Sequence, residues 1–141
     1  MHQVIERFGK DVVIFDGGMG TLLQAHGLAG GALPELWNLE RREVILAIQR
    51  EYAAAGCDIL STNTFGANAR KLGDAASVDE VFAAAIQAAR ASGARYVAAD
   101  IGPTGALLEP LGTLSFEEAY GLFKEQVVAA EHHGADLVLV E

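Results

Sequence analysis

Apolar residues alternate between two patterns along the chain. In the first, they recur every three or four positions. Val44, Ile45, Ile48 and Tyr52 form one such stripe, Val81, Phe82, Ala85, Ile86 and Ala89 a second, and Phe116, Ala119, Tyr120, Phe123, Val127 and Ala130 a third. That spacing predicts three amphipathic helices. In the second pattern, short runs at 12–15, 58–61, 95–99 and 136–140 are apolar almost throughout. Such runs predict strands covered on both faces, as in a parallel sheet. Ser77-Val-Asp-Glu80 and Ser115-Phe-Glu-Glu118 read as capping boxes that open the second and third helices. Gly56, Gly93 and Gly134 fall where a helix C-terminus favours a left-handed residue.

The two patterns make a repeat. Each helical stripe runs into its glycine, a short apolar run and then a polar residue, and the three glycines are 37 and 41 residues apart. A helix-then-strand period near forty predicts an α/β fold of four strands and three crossover helices, with one parallel sheet in sequential order. Inward-facing residues are expected among Val12, Ile14, Leu60, Val97 and Leu139. At 141 residues the chain is one domain, 1–141. No helical pattern follows the last run, so the domain reads as incomplete. It is expected to be the first half of a (β/α)8 barrel, whose eight units would need roughly 320 residues. Self-association, or pairing with a missing C-terminal half, is expected to cover the open edges.

Composition narrows the partners. Ten Lys and Arg against nineteen Asp and Glu leave a net charge of −9, which argues against nucleic acid and anionic membrane as ligands. The N-terminus lacks the order of a secretory signal, and no apolar run reaches the roughly 18 residues of a membrane span. A single cysteine excludes an intrachain disulfide and a multi-cysteine zinc site within this chain. A cytoplasmic location is expected.

Polar residues that close the predicted strands are the candidates for chemistry: Asp16, Thr62-Asn63-Thr64, Asp100 and Glu141. In a parallel barrel these ends share one rim, where α/β proteins bind ligands. Carboxylates and an amide on one rim suit a ligand with an amino group. Each also has a plainer reading as a cap or loop residue. The glycine-rich Asp16-Gly-Gly-Met-Gly-Thr21 lets backbone N–H groups approach a small anion, or is simple turn punctuation. It matches neither the dinucleotide fingerprint nor a phosphate-binding P-loop. Ile101-Gly-Pro-Thr-Gly105 reads as a rigid turn. Cys57 precedes its strand, at the end away from the rim, and reads as structural. So do His132 and His133, while His2 and His26 are isolated. Trp37 and Phe65 are core or pocket wall, with Phe65 the better wall candidate.

Four of these segments together resemble the homocysteine S-methyltransferases. They are Asp16–Thr21, Ala55-Gly-Cys-Asp-Ile-Leu-Ser-Thr-Asn-Thr-Phe-Gly-Ala67, Asp100–Gly105 and Gly134–Glu141. With Leu108–Glu118, they look most like the N-terminal homocysteine-binding module of the cobalamin-dependent methionine synthase type. The resemblance implies a (β/α)8 barrel and a zinc-dependent transfer of a methyl group to the homocysteine thiolate, in methionine biosynthesis. It implies zinc and, as one candidate donor, methylcobalamin. The family's zinc cysteines fall in later strands, so this chain is expected to hold no metal and to be inactive alone. What carries over is the grip on homocysteine: Asp16 with Gly17 and Gly18, the stretch Asn63, Thr64 and Phe65, and Glu141. No catalytic residue is assigned. The competing reading is a non-enzymatic α/β half-barrel that binds a small amino acid or assembles with a partner chain.

Overall fold

The computed structural model describes residues 4–141. His2, isolated in the sequence, lies outside them. Three strands make one parallel sheet in sequential order: β1 (Ile59–Ser61), β2 (Tyr96–Ile101) and β3 (Leu137–Val140). Leu60 pairs with Val97, and Asp100 with Leu139. The helices are α1 (Gly20–Ala25), α2 (Trp37–Glu40), α3 (Arg42–Ala54), α4 (Ala69–Leu72), α5 (Val78–Ala91) and α6 (Phe116–His132). The three long ones, α3, α5 and α6, carry the three apolar stripes and precede β1, β2 and β3 in turn.

Local chemistry explains where the helices begin and end. Ser77 and Ser115 each accept the backbone N–H three residues on, and Glu80 and Glu118 reach back to the cap N–H, so both capping boxes form. The turns into the strands use Gly56, Gly93 and Gly134 at φ of 97°, 94° and 81°, where a side chain would be strained.

Alternation along β2 divides the core. Val97, Ala99 and Ile101 join Phe82, Ile86 and Ala129 in the layer between the sheet and helices α5 and α6. Tyr96 and Ala98 face the other way, with Ile59, Phe15, Leu137 and Leu139. Asp100 continues this second row. The expected inward set is therefore corrected: Leu139 lies on the inner face, whereas Val97 packs under the helices. Val12 and Ile14 are exposed, while their neighbours Val13 and Phe15 turn inward.

The first expected strand is a further correction. Of 12–15, only Phe15 forms a ladder contact, a single parallel bridge to Ile59. The cause is a side chain that takes a backbone's place: the Ile14 N–H donates to the Asp58 carboxylate at 3.1 Å. The Ile14 carbonyl accepts from both Asp58 and Ile59, so the segment lies beside β1 in the expected parallel position without regular pairing. The third expected strand runs further than its apolar residues, through Asp100 to Ile101, because Ile101 pairs with Val140.

Candidate functional site

The ends of the strands meet at a cavity of about 430 Å³. Asp16 enters it from the segment beside β1, and its carboxylate accepts the Ser61 N–H at 2.8 Å. Burial pushes its pKa up, the Ser61 N–H opposes that shift, and Glu141 adds to it. Gly17 and Gly18 line the same cavity. Tyr52, from α3, fixes their turn: its hydroxyl donates to the Gly18 carbonyl at 2.9 Å. A Cβ on Gly17 would sit 2.9 Å from that hydroxyl and would push the Tyr52 ring aside.

Asp100 reaches the cavity from β2, held by two threonines. Its N–H donates to Thr62 Oγ1 at 3.1 Å, and its carbonyl accepts from Thr64 Oγ1 at 2.7 Å. The two hydroxyls are themselves 2.6 Å apart. Asp100 Oδ1 is buried without a partner. Burial first, then Glu141, Asp16 and Glu35, push its pKa up to about 7. Glu141 follows β3, and its N–H donates to the Ile101 carbonyl at 3.1 Å.

A second cavity of about 240 Å³ adjoins the first and shares Met19, Thr62, Asp100 and Glu141 with it. Gly20, Pro34, Glu35, Asn63 and Phe65 complete its wall. Hydrogen bonds stitch the 34–38 turn to the loop after β1. Asn63 Nδ2 donates to the Pro34 carbonyl at 2.8 Å, Asn38 Nδ2 to the Asn63 carbonyl at 2.7 Å, and the Gly66 N–H to Glu35 Oε1 at 2.6 Å.

The structure thus brings Asp16, Gly17, Gly18, Asn63, Phe65, Asp100 and Glu141 around two joined cavities. Thr64 is fully buried and turned to the Asp100 backbone instead. Cys57 lines neither cavity. It follows the α3 turn, with its N–H on the Tyr52 carbonyl at 3.4 Å, and burial pushes its thiol pKa up. His133 pairs with Asp79 at 2.8 Å, away from the cavities. Three contributors were not read from the sequence: Glu35, Tyr52 and Ser61. Glu35 sits in the stretch 27–37, which reads as a long loop with a Gly30-Gly31 pair and Pro34, and nothing local signals its burial. Tyr52 belongs to an apolar stripe, and Ser61 acts on Asp16 through its main chain and its side chain.

Among the described residues, no group of three His, Cys, Asp or Glu side chains is placed to hold a metal ion. The cavity residues therefore do not fit a zinc site.

A parallel α/β sheet with carboxylates and a glycine turn gathered at its C-terminal edge places the chain among α/β proteins with a polar cavity where such folds seat ligands. Comparison with known proteins is more specific. The sequence profile of the homocysteine S-methyltransferases matches residues 13–141, and the chain belongs to that family. It is 32% identical to methionine synthase of Mycobacterium leprae and 33% to that of Mycobacterium tuberculosis, each over 157 aligned positions and 98% of this chain. It spans only 13% of either relative's length. The fold matches the homocysteine methyltransferase MmuM from Escherichia coli in its metallated form, with a TM-score of 0.77 at 22% identity. That match covers 99% of this chain and 56% of the other. The oxidized form of MmuM gives a TM-score of 0.73 at 20% identity.

Proposed function

We propose that residues 1–141 are the first half of a homocysteine-binding (β/α)8 barrel. In this reading they supply the amino-acid grip of an enzyme that methylates the homocysteine thiolate to make methionine. One observation carries the reading: in a chain of this family, Asp16, Asp100, Glu141 and the Gly17–Gly18 turn converge on one cavity. Glu141 and Asp16 hold the substrate ammonium by charge-assisted hydrogen bonds. The backbone N–H groups of Gly17 and Gly18, on the same cavity, receive its carboxylate. Asn63 and Phe65 form the wall along the side chain, and Thr64 positions Asp100. Zinc and the methyl donor, with methylcobalamin the candidate, belong in this reading to parts of a longer cytoplasmic protein. No step through either is assigned to the residues of this chain.

The test is calorimetric titration of homocysteine into the chain and into Asp16→Asn and Glu141→Gln variants. Each substitution should weaken binding by about tenfold or more, the worth of one charge-assisted hydrogen bond. Equal affinity in all three proteins would overturn the assignment.

A further inference from the structure

Phe65 is 41% exposed, yet its ring has a defined seat. The Gly102 N–H, in the loop after β2, donates to the Phe65 carbonyl at 2.9 Å and ties the two loops together by their main chains. A Cβ on Gly102 would lie 2.5 Å from Phe65 Cε2, 2.6 Å from Cδ2 and 2.7 Å from Cζ. Three nearly equal distances mean that the glycine abuts the face of the ring and not its edge. Carbon atoms in contact stand about 3.5–4.0 Å apart, so any side chain at this position displaces the ring. Gly102 lines neither cavity, whereas Phe65 lines the second. The ring therefore stands between the Gly102 main chain and the open space. Lys71, from α4, covers the ring as well. Its ammonium lies 5.7 Å from the ring centroid, within cation–π reach. Its stem crosses the same turn, where a Cβ on Gly105 would lie 3.0 Å from Lys71 Cε. Two glycines of one turn thus leave room, one for the ring and one for the lysine stem.

We propose that Gly102 sets the length of amino-acid side chain that the second cavity accepts, by seating the Phe65 ring back from it, and that Lys71 keeps the ring seated. The proposal rests on the reading above, in which Asn63 and Phe65 wall the substrate side chain. Gly102 and Lys71 touch no substrate and are positioning residues. A methyl group at position 102 drives the ring into a cavity of only about 240 Å³. Of two ligands gripped alike at the amino-acid end, the longer meets the displaced ring first.

The experiment is calorimetric titration of L-cysteine and L-homocysteine, which differ by one methylene, into the chain and into its Gly102→Ala and Lys71→Met variants. In Gly102→Ala, homocysteine should weaken by about tenfold more than cysteine, the discrimination a pocket makes on one methylene. Lys71→Met keeps the stem and removes the charge. An unheld ring discriminates less, so the ratio of the two affinities should move towards one by about two- to fivefold, the worth of an exposed cation–π contact. Equal losses of the two amino acids in Gly102→Ala overturn the role of Gly102, and an unchanged ratio in Lys71→Met overturns that of Lys71. If Gly102→Ala does not fold, the ratio in Lys71→Met alone decides. Binding of neither amino acid by the unsubstituted chain sinks the reading above and the selectivity role with it. Binding there, with the ratio unaltered in the variants, sinks the selectivity role alone.

Discussion

Asp100 shows how one side chain trades stability for a charged site. Its pKa of about 7 in the fold lies well above the value near 4 of an unfolded aspartate. The folded state therefore binds the proton more tightly. The associated stability is fully present below about pH 4 and is lost as pH rises through 7. Asp100→Asn cannot ionise, so it should flatten this profile and raise Tm at pH 8 while changing little at pH 4. Each kcal/mol recovered corresponds to roughly 2–8 °C in a thermal melt. No difference between the two pH values would show that Asp100 ionises freely. Gly66 tests the packing beside it. Gly66→Ala drives a methyl against the Glu35 carboxylate and should cost about 1–3 kcal/mol in urea denaturation. Asp16, Asp100 and Glu141 were legible because each closes an apolar run. Glu35 was not, since its burial comes from contacts with Asn38 and the loop after β1 that exist only once the chain folds.

Helices were read more fully than strands, for a physical reason. Ser77 and Ser115 encode their caps within four residues, and both boxes form as the local chemistry dictates. Ser115→Ala should therefore cost about 0.5–2 kcal/mol, measured as a shift of the urea midpoint. An unchanged midpoint would mean that packing alone fixes the start of α6. Strand limits depend on partners far along the chain. Ile101 is a strand residue because Val140 lies beside it, and Ile14 is not one because Asp58 takes its N–H. Neither fact is written in the local apolar run. The short helices α2 and α4 are single turns without a stripe, so no periodic pattern in the sequence marks them.

The molecule as a whole leaves large apolar side chains in water. Val12 is 83% exposed, Leu111 87%, Phe116 70% and Val140 71%. Burying such a side chain gives about 1.5–3 kcal/mol, so surfaces of this kind favour association. Sedimentation velocity on the chain should show mass rising with concentration, and a monomer at every concentration would contradict this. The parallel order of the sheet and the rim position of the site followed from the forty-residue repeat, but the unequal attachment of the first segment did not. That segment joins β1 by one bridge, main-chain bonds at the Ile14 and Ile59 carbonyls, the Ser61 N–H on Asp16 and the Asp58 tether, to which Arg7 adds an ion pair at 2.7 Å. With a single ladder bridge, it is expected to open locally more readily than the regular strands β1 to β3. It also carries Asp16, Gly17 and Gly18, so on the proposed reading detachment and loss of the ligand's seat are one event. A ligand spanning this turn and Glu141 would act as a clasp across the sheet. Its affinity would then be readable without any assay of chemistry, as slowed hydrogen exchange at the Asp16 and Ile59 amides.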